Sequence, residues 1–210
     1  MVRYWPVRNA RKIVAVLLAS TGLGASLARA GDESSVSAMH HARWSDTVTR
    51  SSAEYSMPKV RVKRTDGNSV WLSDEIDDGR AVVLNFIYTT CTTICPLTSQ
   101  TFADLQDRLG MRQTQVHLVS ISIDPEEDTP ERLDSYARRF DAGPEWQLYT
   151  GSMEASLKIQ RSFQVDRGNK MLHAPTTLVR TAPGRPWIRF DGFVTAKEIL
   201  LELQKDAALR

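Results

Sequence analysis

The chain has 210 residues, with 27 Lys+Arg against 25 Asp+Glu and a formal charge of +2. That length suits one ordinary domain with tails and cramps two; 41% apolar and 25% charged residues exclude wholesale disorder, and +2 is too small for a protein that binds nucleic acid by neutralising phosphates. Two cysteines exclude a disulfide-dense scaffold and a four-cysteine zinc site.

The charge is unevenly placed. Residues 1–30 carry Arg3, Arg8, Arg11, Lys12 and Arg29 and no acidic residue. An apolar stretch from Ile13 to Leu18 runs on through small residues to Leu27 and ends in Ala28-Arg29-Ala30. A basic start, a short apolar middle and a small-x-small end read as a secretory signal peptide, or as an N-terminal anchor if it is retained. Ser20, Thr21, Gly22 and Gly24 make the stretch a poor membrane span. Removing residues 1–30 leaves 22 basic against 25 acidic residues, a charge of −3. The implied location is outside the cytoplasm, in a periplasm or on the outer face of the cytoplasmic membrane, where a cysteine pair can be oxidised.

Residues 31–54 are polar and Ser-rich and read as a flexible linker. Met39-His40-His41 within them is an incidental polar patch or a weak metal contact. Residues 55–210 carry the predicted domain. Val60 to Arg64 alternates apolar and charged, as a half-buried strand does, and Asp66-Gly67 turns the chain into a second strand from Ser69 to Leu72. Ala81 to Ile87 is nearly all apolar, as expected of a central strand buried on both faces. A helix over Leu97–Leu109 has its apolar positions at Phe102, Leu105 and Leu109 and stops at Gly110. His117 to Ile123 is a second buried strand. Thr129-Pro130-Glu131 opens another helix as cap, first helical residue and dipole complement. A short strand at Trp146–Tyr149, a helix over Met153–Phe163, strands at Thr176–Arg180 and Trp187–Phe190, and a final helix over Thr195–Lys205 complete the order. Strands alternating with helices predict an α/β fold with a mixed central β-sheet flanked by helices.

Both cysteines fall in Tyr88-Thr89-Thr90-Cys91-Thr92-Thr93-Ile94-Cys95-Pro96, between the central strand and the next helix. In open α/β sheets that edge is where ligands bind. Residues four apart on one helical turn share a face, so the sulfurs can meet one metal ion or pair as a disulfide. Thiolates select copper(I) and zinc over hard cations, and a helix N-terminus lowers thiol pKa. A plain structural disulfide is the bland reading. A metal site needs a third ligand, for which His117, in a strand pattern, and His173, in a loop entering a strand, are the candidates.

These segments resemble the Sco/SenC family, copper-binding proteins of thioredoxin-like fold that assist assembly of cytochrome c oxidase. The likeness spans roughly residues 55–205. It is carried by Leu84-Asn85-Phe86-Ile87-Tyr88-Thr89-Thr90-Cys91 with Cys95-Pro96, by Asp124-Pro125-Glu126-Glu127-Asp128-Thr129-Pro130 and by Trp146 to Gly151, in the family's order. The resemblance implies a soft site of Cys91, Cys95 and His173 for copper(I), able to hold copper(II) with a fourth ligand, and Asp124 tuning it from nearby. It implies a copper-receiving subunit of cytochrome c oxidase or another copper chaperone as partner, no nucleic acid, and membrane contact only through an N-terminal anchor. Other members use the pair for thiol–disulfide exchange, so the alternative is an oxidoreductase that keeps cysteines of thiol partner proteins reduced. Leu172 stands where the family commonly has Asp, and Ala174-Pro175-Thr176 resembles the cis-proline loop of thioredoxins, placing Pro175 beside the cysteines. Thr92-Thr93-Ile94-Cys95 also resembles the Thr-x-x-Cys of peroxiredoxins, but Tyr88 stands where their proline is expected.

Overall fold

The structure, a computed structural model, describes residues 48–205. The expected export signal, the expected linker up to residue 47 and Met39-His40-His41 lie outside the described residues.

The centre of the fold is strand β4 (Ala81–Ile87), all seven residues of which are buried, as its apolar run requires of a strand covered on both faces. β5 (Val116–Ser122) and β6 (Trp146–Gly151) follow parallel to it. Each crossover carries a helix: α2 (Ile94–Leu109) between β4 and β5, and α3 (Pro130–Arg138) between β5 and β6. β7 (Thr176–Arg180) runs antiparallel on the other side of β4, and β8 (Trp187–Asp191) antiparallel beyond it. The hairpin of β2 (Arg61–Arg64) and β3 (Ser69–Trp71), turned at Gly67 with φ +83°, joins through β2 to β6. The short α1 (Leu72–Ile76) leads from it towards β4, α4 (Met153–Ser162) follows β6, and α5 (Ala196–Lys205) closes the chain. The mixed sheet reads β1-β8-β7-β4-β5-β6-β2-β3, with β1 at Thr49–Ala53.

Local chemistry explains the boundaries. Thr129 caps α3 by accepting the Arg132 amide at 3.3 Å, and Pro130 takes the first helical position. Ser152 caps α4 in the same way, accepting from the Ala155 amide. Gly110 stops α2 at φ +53°, a conformation that a Cβ disfavours. α2 buries Phe102, Leu105 and Leu109, and Phe102 meets Trp146 at a ring separation of 5.5 Å. On the opposite face Phe163 lies among Phe86, Tyr55 and Trp187. These apolar layers hold the C-terminal ends of β4 and β5 and the start of β7 at one rim.

The structure corrects the reading at three places. The last part of the proposed linker is a strand: Thr49–Ala53 pairs with β8, and Arg50 holds Glu202 of α5 through a two-pronged ion pair at 2.7 and 3.0 Å. α2 begins at Ile94, three residues before the predicted start, which puts Cys95 in its first turn. No cis peptide bond occurs among the described residues, so Ala174–Pro175 is trans. The likeness of that loop to a cis-proline loop therefore does not hold. The trans chain runs straight into β7, and the Pro175 carbonyl accepts the Gly192 amide at 2.9 Å, extending the pairing with β8.

Candidate metal centre

Cys91 sits in the tight turn that follows β4, its amide donating to the Tyr88 carbonyl at 3.1 Å. Three residues later α2 begins, and the Cys95 amide points back at the Cys91 sulfur at 3.3 Å. Both thiols are free. Cys91 is 7% exposed and Cys95 wholly buried. The Cys95 thiol, the amides of Cys95 and Thr93 and the Tyr88 hydroxyl all favour the ionised form of Cys91, against burial, and bring its pKa down to about 4. The same contact with Cys91, joined by burial, pushes the Cys95 thiol up. At neutral pH the pair is therefore one thiolate and one thiol, titrating as a unit.

A residue that sequence reasoning missed holds this loop. Asp128, fully buried, accepts the Thr89 amide at 3.1 and 3.2 Å, the Thr89 hydroxyl at 2.5 Å and the Ser122 hydroxyl at 2.6 Å. It thereby fastens the start of the cysteine turn to the end of β5. Burial raises its pKa against these bonds. The Asp-Pro-Glu-Glu-Asp segment was the available signal, but it directed attention to Asp124.

Asp124 is buried and pairs with Lys170. It anchors the single 3₁₀ turn of Lys170–Leu172, which Asn169 caps by accepting the Met171 amide at 2.9 Å. That turn delivers His173 to the end of β4. The ring is 4% exposed, and its Nε2 lies 3.1 Å from the Phe86 carbonyl. A carbonyl only accepts, so Nε2 carries the proton and Nδ1 the lone pair. Nδ1 is buried without a hydrogen-bond partner. Burial lowers the pKa of the ring, partly offset by the Phe86 carbonyl and the Cys91 charge, so His173 is neutral. With Asp124 and Lys170 it lines a cleft of ≈ 330 Å³.

The predicted residues are thus gathered unevenly. The two sulfurs are together, and His173 comes to the same sheet edge. Among the described residues, however, no three His, Cys, Asp or Glu side chains are arranged to hold a metal ion jointly. Pro175 contributes its backbone to the β7–β8 pairing. His117 stands opposite Val82, at the other end of the parallel strands, roughly 17 Å along the sheet from the cysteine turn. Its Nδ1 contacts the Glu75 carbonyl at 3.0 Å and its Nε2 the Tyr149 hydroxyl at 3.4 Å, so its ring is part of the structural core. Tyr88 and Met171 also escaped the sequence reading: the Tyr88 hydroxyl reaches both the Cys91 sulfur and, at 3.8 Å, the Met171 sulfur.

Residues 51–200 match the family model described as SCO1/SenC. The SCO1 protein homolog of Bacillus subtilis (strain 168) is 30% identical over 105 residues, covering 50% of this chain and 53% of that protein; the chain thus spans about half the length of this relative. Among solved structures, BsSco, described as a member of the Sco family of cytochrome c oxidase assembly proteins with a disulfide switch, superposes with a TM-score of 0.62 at 23% identity, over 77% of this chain and 99% of that one. Arabidopsis thaliana ScoI, solved with copper bound, superposes with a TM-score of 0.56 at 24% identity, over 68% and 92%. These likenesses establish the fold as the thioredoxin-like one of that group.

Proposed function

The chain belongs to the SCO1/SenC family, and from that premise we propose that it binds copper through Cys91, Cys95 and His173 and delivers it to the copper centre of cytochrome c oxidase. The observation that carries this reading is the state of the donors. One of two adjacent sulfurs is already ionised, and a neutral, buried imidazole holds its lone-pair nitrogen without a partner. Two thiolates and an imidazole form a soft set suited to copper(I), and a fourth ligand would let it hold copper(II). Copper is cargo here, so each donor must also release it. Cys95 gives its proton to solvent when it ligates. The Phe86 carbonyl keeps the proton of His173 on Nε2, which leaves Nδ1 as the nitrogen that would ligate. Transfer proceeds by ligand exchange, with thiolates or imidazoles of the copper-receiving subunit replacing these donors one at a time. A relative described as an oxidase assembly protein and another solved with copper bound support the assignment.

Residues 1–30 would export the chain to the periplasm or hold it at the outer face of the cytoplasmic membrane, with the polar residues that follow as a tether. Among the described residues no helix is long and apolar enough to cross a membrane. Titrating the reduced protein with copper(I) against a chromogenic chelator tests the donor set. One equivalent binds tightly, and His173→Ala weakens binding by about a hundredfold; an unchanged affinity in that variant overturns the three-ligand site.

The inequality of the two cysteines favours a second use, thiol–disulfide exchange. The Cys91 thiolate attacks a partner disulfide, forming a mixed disulfide and expelling one partner thiolate. Cys95, after losing its proton, attacks the Cys91 sulfur and releases the second, leaving Cys91–Cys95 oxidised and the partner reduced. In that form the pair cannot hold copper until it is itself reduced. Reduction of a small aromatic disulfide that needs both cysteines and survives His173→Ala identifies this use; loss of reduction in that variant rules it out.

A further inference from the structure

We propose that the thioether of Met171 is the point where copper(I) first lands on this chain and from which it last departs, a surface ligand that exchanges the metal with the buried Cys91–Cys95 pair. The inference rests on the copper reading above and adds the route to it. That reading has an access problem: Cys95 is shut from solvent, and Cys91 and His173, the latter at the edge of a cleft, are nearly so. Metal held by an outside donor needs a first contact that such atoms do not offer.

Met171 offers one. Its side chain is 69% exposed, two residues before His173. Its backbone is fixed by the Asn169 cap, and the preceding Lys170 is pinned to Asp124, so the sulfur is presented from a held turn. That sulfur lies 3.8 Å from the Tyr88 hydroxyl, which also reaches Cys91. One phenol oxygen therefore lies between the exposed sulfur and the buried one. The hydroxyl donates to one lone pair of the Met171 sulfur over that long contact and leaves the other free for a metal. A thioether is soft, neutral and needs no deprotonation, so it takes copper(I) at any pH and releases it readily.

The transfer is a sequence of substitutions at copper(I), whose charge does not change. Met171 Sδ displaces one ligand of the donor. The Cys91 sulfur then displaces the next. Cys95 releases its proton to solvent and binds, His173 Nδ1 joins, and Met171 leaves. Run backwards, the same steps deliver the metal to an acceptor. Because Met171 is absent from the final set, it changes the rates in both directions and not the equilibrium.

Stopped-flow exchange of copper(I) between the reduced full-length protein and bathocuproine disulfonate tests this. Met171→Leu, conservative at an exposed position, slows both loading and unloading by about tenfold and leaves the equilibrium affinity within about twofold of the parent. Met111→Leu, at a methionine that is 100% exposed on the turn after α2, exchanges at the parent rate. Equal rates for Met171→Leu and the parent overturn the proposal, as does an equal slowing in Met111→Leu. A parent protein that takes up no copper overturns the copper reading and this route together, whereas tight binding with unaltered exchange in Met171→Leu overturns the route alone.

Discussion

The sheet carries a buried histidine near each end, and the two are finished differently. At the end where β5 begins, both ring nitrogens of His117 face polar groups, Nδ1 the Glu75 carbonyl at 3.0 Å and Nε2 the Tyr149 hydroxyl at 3.4 Å. Around it Tyr149 donates to the Glu75 carboxylate, Arg64 forks onto that carboxylate, and Arg80 joins Asp78 and Glu145. At the other end His173 has one nitrogen on the Phe86 carbonyl and the other without a partner. A buried polar atom without a partner is unfavourable by about 1–3 kcal/mol. The first network is a structural joint between hairpin and sheet. The second leaves one atom uncommitted at the sheet edge that carries the cysteine pair, and that asymmetry, more than burial or pKa, separates a core histidine from a candidate ligand.

The contrast breaks most readily at the sulfurs. Cys95→Ala removes a proposed ligand from the open end, and copper(I) affinity falls by about a thousandfold or more, read by chelator competition, while His117→Ala leaves the affinity of the folded protein unchanged. Equal copper losses in both variants would mean that the two ends are not functionally distinct. On stability the order reverses. His117→Ala leaves a cavity and strands the Glu75 carbonyl, a loss of about 2–4 kcal/mol in urea unfolding. His173→Ala strands only the Phe86 carbonyl and lowers stability by less. A larger loss for His173→Ala would place it with the structural joint.

Asp128 sharpens the comparison, because it is a fully satisfied group at the open end. Asp128→Ala leaves the Thr89 amide and two hydroxyls without their acceptor, and stability falls by about 1–3 kcal/mol. The cysteine turn loosens with it, so alkylation of Cys91 quickens; alkylation at the parent rate would show that Asp128 supports β5 and not the turn. This residue also marks what the sequence conceals. The cysteine spacing, the apolar run of β4 and the Thr129-Pro130 helix start were legible because each is a local pattern with a local cause. The bonds from Asp128 to Thr89 join positions 39 apart and exist only once β4 and β5 lie side by side. β1 was hidden for the same reason: Thr-Arg-Ser-Ser-Ala has no apolar alternation, and only the open edge of β8 makes it a strand. The missing partner of His173 is equally invisible beforehand, since it depends on which carbonyl the ring meets.

The smallest effect is in the pH dependence of stability, where the two histidines act alike. Burial lowers both pKa values from the ordinary 6.5. Asp78, 3.6 Å from His117, and Glu75 oppose the shift, while Arg80 adds to it. As pH falls below 6.5 the unfolded chain takes up protons that the folded chain refuses, so stability declines by up to about 1.4 kcal/mol per pH unit for each imidazole. Cys91, depressed from 9.0 to about 4, contributes in the same direction across that whole window. Its stabilisation is complete above pH 9 and is lost steadily as pH falls towards 4, which makes it a uniform background. The histidines therefore show as a steepening below about pH 6.5 in urea stability measured from about pH 8 to about pH 5.5. His117→Gln, which keeps hydrogen-bonding capacity without the titration, halves that steepening and leaves copper affinity intact. Copper(I) on the parent enlarges it, because a ligated imidazole resists protonation further. An undiminished steepening in His117→Gln would mean that His117 is not held neutral, and the satisfied end of the sheet would then be no more committed than the open one.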